Sequence, residues 1–191
     1  MSRWEIKLAG FGGQGVILAG HILGQAATLH DKKNAVLTQS YGPESRGGGC
    51  SVDLVVDEGA ILYPLVKEPQ VVVAMSQEAY IKYAEELAPG GLFLVDADLV
   101  KVDPTKSRRV YAIPANRLAE EMGHKIVANM VMLGAFCALT EIVSPEAMRE
   151  AIRSMVPKGT EDLNLRAFQR GYDYGKRLAN RRRSAARNPM P

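Results

Sequence analysis

A run of glycines between an apolar segment and a helix-forming segment places the strongest constraint on the fold of this sequence. Residues 10–20 read Gly-Phe-Gly-Gly-Gln-Gly-Val-Ile-Leu-Ala-Gly, and they lead into the helix-like residues 16–29. Gly10, Gly12 and Gly15 have the G-x-G-x-x-G spacing. A strand, a glycine turn and a helix in this order gather backbone N–H groups around an anion. The segment therefore predicts a site for a phosphate-bearing ligand, although glycines that only permit a tight turn would give the same pattern.

Strand-like and helix-like segments alternate along most of the remaining chain. The predicted strands cover residues 5–9, 35–40, 50–57, 70–75, 91–95 and 109–113, and the predicted helices cover 14–30, 77–87, 116–122, 126–143, 145–155 and 160–180. Several strands are continuous apolar runs, which are typical of strands covered on both faces. The order of elements predicts an α/β fold with a mostly parallel sheet flanked by helices, and with a helical C-terminal layer.

The charges divide the chain into an acidic body and a basic end. The net charge is +3, and six positive charges lie from Lys176 onward, where no acidic residue occurs, so residues 1–175 carry −3. The alternating elements predict a single α/β domain, which we expect in residues 1–175. The basic C-terminal tail, 176–191, is expected to be disordered. Such a tail suits an acidic partner subunit or a nucleic acid.

The cysteine content and hydropathy exclude several classes of protein. Cys50 and Cys137 are the two cysteines, too few for a disulfide framework, a structural zinc site or an iron–sulfur cluster on this chain alone. The longest apolar helix contains Asn129 and Thr140 and is short for a membrane span. With no secretory signal visible, we expect a cytoplasmic protein that has reduced cysteines, no metal site and no membrane partner.

The end of the second predicted strand disfavours an ordinary dinucleotide fold. Such a fold needs an Asp or Glu there to hold the ribose hydroxyls. Here the strand ends at Ser40, and the first acid, Glu44, follows only after Pro43. A stand-alone nucleotide-binding oxidoreductase therefore stays as a less favoured alternative.

A second glycine-rich loop follows this strand. Residues 40–50 read Ser-Tyr-Gly-Pro-Glu-Ser-Arg-Gly-Gly-Gly-Cys, so exposed backbone stands beside the guanidinium of Arg46. This combination suits phosphate or carboxylate recognition, although a Glu44–Arg46 pair that only holds the loop is an alternative. In a parallel sheet, both loops would emerge at the carboxyl ends of neighbouring strands, where ligands bind.

Together the two loops resemble the gamma subunit of the 2-oxoacid:ferredoxin oxidoreductases, most closely that of the 2-oxoglutarate enzyme. The resemblance rests on Gly10-Phe-Gly-Gly-Gln-Gly-Val16, Ser40-Tyr-Gly-Pro-Glu-Ser-Arg-Gly-Gly48 and Asn129-Met-Val-Met-Leu-Gly134. It extends to about Gly175 and does not include the basic end. The beta subunit of indolepyruvate:ferredoxin oxidoreductase shares the glycine opening and stays open as an alternative.

The resemblance implies a division of labour among several chains. Enzymes of this family decarboxylate a 2-oxoacid on thiamine diphosphate, pass electrons through iron–sulfur clusters to ferredoxin, and transfer the acyl group to coenzyme A. Thiamine diphosphate, magnesium and the clusters would belong to partner alpha, beta and ferredoxin-like delta subunits. The present chain would be a non-catalytic lid that helps to bind coenzyme A at an interface; a homodimer of the isolated chain stays open.

On this interpretation the ligand-binding residues lie in the two loops. Backbone and amide donors in the first loop would bind a coenzyme A phosphate, and Arg46 would add a charge-assisted hydrogen bond. The candidate residues are Gly12, Gly13, Gln14, Gly15, Ser45, Arg46 and Gly47. We predict no catalytic residue and no metal ligand in this chain. A nucleic-acid-binding module built on the basic tail is a third interpretation, but we expect no nucleic-acid partner.

Overall fold

The computed structural model describes residues 3–42, 47–105 and 109–187. A π-helical turn, Ala26–His30, extends the first helix, and a 3₁₀ turn, Lys125–Val127, precedes the fourth. The elements in chain order are β1 (Trp4–Phe11), α1 (Val16–Gln25), β2 (Asn34–Tyr41), β3 (Gly49–Asp57), β4 (Val71–Ala74), α2 (Gln77–Tyr83), β5 (Leu92–Asp96), β6 (Arg109–Ile113), α3 (Ala115–Glu120), α4 (Ala128–Thr140), α5 (Pro145–Met155) and α6 (Glu161–Arg187).

The strands form one mixed sheet in the order β2-β3-β1-β4-β5-β6. β1, β4, β5 and β6 run parallel to one another, while β3 pairs antiparallel with both β1 and β2. The predicted α/β class with a mostly parallel sheet is confirmed. The expectation that the two glycine loops follow neighbouring strands is wrong, because β2 and β3 form a hairpin whose second strand lies between β2 and β1.

The two faces of the sheet pack against different helices. Side chains alternate between the faces along each strand, so Ile6 and Leu8 of β1 join the large core formed with α1, α4, α5 and α6. Ala9, Val72 and Phe93 point to the opposite face and pack with the buried side chains of α2. Both faces of β4 and β5 are therefore covered, which explains their largely apolar sequences.

Close packing of α4 against α6 builds the predicted C-terminal helical layer. Gly134 of α4 and Gly171 of α6 lie where the helices touch, and a Cβ at either position would run into the backbone carbonyl of Phe168 or Val131. α4 is buried along almost its whole length. The helical layer is confirmed, and its packing depends on glycines that allow the two backbones to approach.

Helix α6 continues through the basic residues to Arg187. Residues 176–187 therefore differ from the disordered tail that we expected from composition. Leu178 packs against the core, and Lys176 lies 3.5 Å from the carboxylate of Glu141. These contacts give the basic end a folded support that net charge alone does not reveal. Within the described ranges, every helix is too short or too polar to cross a membrane.

Candidate ligand groove at the glycine loop

Two left-handed residues shape the turn between β1 and α1. Gly13 has φ 92° and Gly15 has φ 73°, a region that strains residues with a Cβ. Gly15 is also the N-cap of α1, and a Cβ on it would collide with the side-chain amide of Asn129. The backbone of this turn therefore requires glycine at both positions.

Asn129 fixes the turn to the first residues of α4. Its side chain is 3% exposed, and its Nδ2 donates to the carbonyl of Gly15 at 3.2 Å. Its Oδ1 accepts from the backbone N–H of Met130 at 2.9 Å. No role at the site was predicted for Asn129 from the sequence. The signal that could have found it is a polar residue in the middle of an apolar helical segment, since buried amides need partners.

Gln14 fastens the loop to the sheet. Its Oε1 accepts from the N–H of Phe11 at 2.7 Å, and its Nε2 donates to the carbonyl of Met75 at 2.8 Å. Its backbone N–H donates to the carbonyl of Phe11 at 3.2 Å. The amide of Gln14 therefore faces the ends of β1 and β4, whereas we expected it to face a ligand.

The two glycine turns touch each other although their strands are not neighbours. The N–H of Gly12, in the first glycine-rich segment, donates to the carbonyl of Gly48, in the second, at 2.9 Å. Within the second segment, the N–H of Gly42 donates to the carbonyl of Gly49 at 2.6 Å. The start of β3 pairs with the end of β1, with Gly49 opposite Phe11, which explains the contact. The predicted convergence of the loops is therefore present, but the N–H of Gly12 is used within the protein.

The donors left for a ligand lie one to four residues after Gly12 in the chain. In the described part of the chain, the N–H groups of Gly13, Gly15 and Val16 have no acceptor. The first turn of α1 contains no acidic residue, so the positive end of the helix dipole is not neutralised locally. These groups can bind an anionic oxygen.

A groove of about 730 Å³ opens beside these donors. Its walls come from the two glycine turns, the 3₁₀ turn before α4, and the connection from α5 to α6. The lining side chains are mainly apolar, and the described ones include no charged residue: Phe11, Val16, Ile17, Leu18, Tyr41, Cys50, Ile126, Val127, Asn129, Met130, Val156, Pro157, Thr160, Leu163 and Asn164. Ile126 is 78% exposed at the rim. This volume suits a sizeable organic ligand that carries an anionic group at one end.

The predicted residues of the second loop are only partly placed. Gly47 is exposed, has φ 71° and lines the groove. Ser45 and Arg46 lie outside the described residues, so their predicted roles stay predictions. Gly12, Gly13 and Gly15 also line the groove, whereas Gln14 does not.

The thiol at the groove is not set up as a nucleophile. Cys50 is buried, and burial raises the pKa of its thiol, which leaves it protonated at neutral pH. In residues 3–42, 47–105 and 109–187, no group of three or more His, Cys, Asp or Glu side chains could hold a metal ion. The described groove can bind and orient a ligand, and it presents no evident group for covalent chemistry.

The sequence and fold are similar to proteins of one kind. Residues 5–174 match the protein-family model described as pyruvate ferredoxin/flavodoxin oxidoreductase. The sequence is 53% identical over 179 residues to the 2-oxoglutarate synthase subunit KorC of Methanocaldococcus jannaschii, which covers 92% of this chain and 96% of that protein.

Two solved structures extend the likeness to three dimensions. The keto/oxoacid ferredoxin oxidoreductase gamma subunit from Geobacter sulfurreducens has a TM-score of 0.83 and 41% identity, covering 94% of this chain and 98% of that chain. The 2-oxoglutarate:ferredoxin oxidoreductase from Magnetococcus marinus, solved with 2-oxoglutarate, coenzyme A and succinyl-CoA bound, has a TM-score of 0.79 and 26% identity. The match covers 95% of this chain but 32% of that chain, so the similar part is about a third of a longer polypeptide.

Proposed function

The chain belongs to the pyruvate ferredoxin/flavodoxin oxidoreductase family, as a gamma subunit of the 2-oxoglutarate type, and we propose that its groove binds coenzyme A at an interface with partner subunits. The observation that carries this proposal is the meeting of two glycine turns at one end of an apolar groove. The N–H groups of Gly13, Gly15 and Val16 face no acceptor in the described residues. They would receive a phosphate oxygen of coenzyme A.

The shape and polarity of the groove support a ligand of this kind. Coenzyme A has anionic phosphates and a long chain with few charges. Apolar residues such as Ile17 and Leu163 would contact that chain, while the helix α1 dipole stabilises the phosphate. The related enzyme solved with coenzyme A bound contains a domain with this fold, which is consistent with the proposal.

Arg46 would complete the phosphate site. It is separated from Gly47 by one peptide bond, and Gly47 lines the groove. A guanidinium there would supply the positive charge that the described lining lacks. The side-chain amide of Gln14 would not bind the ligand, because it already bridges the ends of β1 and β4.

The redox chemistry would lie on other chains. We assign thiamine diphosphate, magnesium and the iron–sulfur clusters to alpha, beta and delta partner subunits, and assign to this chain the positioning of coenzyme A for acyl transfer. Binding and orientation of a cofactor are what a protein contributes to such chemistry. The described lining of the groove, which is mainly apolar and contains no charged side chain, is compatible with that restricted role.

Kinetics of the assembled complex test this function. In a complex that carries Arg46→Ala, the KM for coenzyme A should rise by about tenfold, the effect of losing one charge-assisted hydrogen bond of about 1.4 kcal/mol. The coenzyme-A-independent reduction of an artificial electron acceptor by 2-oxoglutarate should keep its rate, because decarboxylation occurs on the partner subunits.

Arg117→Ala is the matched control. Arg117 is an exposed arginine paired with Asp98 at 3.2 Å, and it does not line the groove. The control should leave the KM for coenzyme A unchanged. An unchanged KM in the Arg46 variant, or an equal rise in both variants, would refute the role of this loop in coenzyme A binding.

A further inference from the structure

A second pocket lies at the other end of the molecule from the glycine turns. It has a volume of about 280 Å³ and lies between the start of β6, the last turn of α4 and the basic part of α6. α4 begins beside the groove at Asn129 and ends in this pocket at Thr140. Its thirteen residues separate the two places by about 20 Å. The pocket is therefore not an extension of the groove.

Two arginines meet at one buried tyrosine in this pocket. Arg109 donates from Nη2 to the hydroxyl of Tyr111 at 3.4 Å, and its guanidinium lies 5.7 Å from the ring centroid. The guanidinium of Arg182, on α6, lies 5.0 Å from the same centroid. Burial acts to raise the pKa of Tyr111, but the guanidiniums of Arg182 and Arg109 outweigh it and lower that pKa.

The positive charges of Arg109 and Arg182 have no carboxylate partner within 4.0 Å among the residues that the structure describes. Glu141 lines the pocket, but its carboxylate is shared with Lys176 at 3.5 Å. Two like charges at one ring repel each other, and an anion between them would relieve that repulsion.

The chemistry of the pocket favours a carboxylate over a free phosphate. One wall is the carboxyl-terminal turn of α4, where carbonyl dipoles are negative. Together with Glu141 they oppose a doubly charged anion, while a singly charged carboxylate can still be held by two guanidinium forks. Both arginines are already positioned by the tyrosine ring, so binding costs less side-chain entropy.

From this arrangement we infer that Arg109, Tyr111 and Arg182 form a socket for an acidic side chain of a neighbouring subunit. Relatives of this chain are named as subunits, and residues from 176 onward carry six positive charges and no negative one. A partner surface complementary to this end would be acidic. The socket goes beyond the proposed coenzyme A function, because it holds the subunit in the complex from the opposite end.

The test is a charge reversal in the complex assembled with the other subunits of the oxidoreductase. Arg109→Glu/Arg182→Glu should weaken the Kd for assembly at least about tenfold, since loss and reversal of charges at close pairs costs that much or more. The KM for coenzyme A of the complex that still forms should be unchanged, which separates this inference from the groove function. Arg109→Gln/Arg182→Gln removes the charges with little change in volume and gives the same direction if the reversed variant fails to fold.

Arg177→Glu/Arg181→Glu is a control that changes the charge by the same amount, at two positions on the helix that carries Arg182. These exposed arginines are rotated by roughly 100–140° about the α6 axis from Arg182. The control should change the Kd for assembly less than about threefold. Equal weakening in both pairs would show general attraction to a basic helix and overturn the socket, as would unchanged assembly in both.

Two added probes distinguish other ligands of the same pocket. Inorganic phosphate titrated into the isolated chain should not bind with millimolar or better affinity. Phosphate binding that the Gln pair abolishes, with assembly unaffected, would make the pocket a free-anion site and overturn the inference. Salt-sensitive binding of single-stranded RNA that requires Arg109 and Arg182 would overturn it as well.

Discussion

The glycine turn gives a sharp prediction because Gly13 and Gly15 share a positive φ but have different surroundings. Both have positive φ, but a Cβ on Gly13 would meet nothing within 4 Å, whereas a Cβ on Gly15 would displace the buried amide of Asn129. A left-handed conformation costs a residue with a Cβ roughly 1–2 kcal/mol. Breaking the buried hydrogen bond from Asn129 adds about 1–3 kcal/mol. Gly13→Ala should therefore lower the free energy of unfolding by about 1–2 kcal/mol, and Gly15→Ala by about 2–5 kcal/mol.

Urea unfolding followed by circular dichroism measures both effects, provided that the m-value stays constant. A double-mutant cycle with Asn129→Ala isolates the contact. Once that side chain is removed, Gly15→Ala should cost about as much as Gly13→Ala, which gives a coupling energy of about 1–3 kcal/mol. Equal losses for the two single alanine variants, or an additive cycle, would refute the claim that Asn129 holds this turn.

Three further properties follow from single residues. Gln14→Ala should lower the free energy of unfolding by about 1–3 kcal/mol, because the N–H of Phe11 and the carbonyl of Met75 lose their partner. Urea unfolding measures this loss, and the KM of the complex for coenzyme A should change little. Burial raises the pKa of Cys137 to about 12 and also raises that of Cys50, so iodoacetamide at pH ~8 should label both far more slowly in the folded chain than in urea, as mass spectrometry would show. Burial also raises the pKa of Asp96 above its ordinary 3.8, although hydrogen bonds from Asp98 and Asn116 act to lower it. The folded state therefore binds this proton more tightly than the unfolded state does. The resulting contribution to the free energy of unfolding is present at low pH and is lost as the pH rises from about 4 through the raised pKa. In Asp96→Asn, this fall in the free energy of unfolding should be absent from a pH series.

The strands were predictable because the signal for them is local. Segments such as 71–74 and 92–95 are apolar throughout, and a strand covered on both faces needs such a run. The partner of each strand is not a local property. The sequence of β3 fits either direction, and only the hairpin with β2 and the packing of α1 place it antiparallel beside β1.

At the groove, too, only those residue roles that depend on local sequence could be predicted. Gly13 and Gly15 could be identified because positive φ is written into the choice of glycine. The sequence could not tell whether the amide of Gln14 faces a ligand or the sheet, since both uses need the same residue. Asn129 lies 114 positions from Gly15 along the chain, and no local pattern connects two residues so far apart.

The composition of the basic end predicts disorder, whereas residues 176–187 are helical. Residues from Lys176 onward are rich in arginine and poor in apolar side chains, which is typical of a disordered segment. The structure instead shows α6 running without a break from Glu161 to Arg187. Part of its charge also lies over aromatic rings, with Arg177 over Tyr174 at 5.5 Å and Arg182 over Tyr111 at 5.0 Å. Such stacking offsets some of the cost of ordering charged side chains.

Hydrogen exchange of the assembled complex, with and without coenzyme A, measures whether the backbone N–H groups of the glycine turn bind the phosphate. The amides of Gly13, Gly15 and Val16 have no acceptor in the described protein, so a phosphate bound there should slow their exchange. We expect coenzyme A to protect a peptide that contains residues 12–18 and to leave the exchange of a peptide from α2 unchanged. Protection that appears only on other subunits, with residues 12–18 exchanging as before, would contradict the proposed phosphate site.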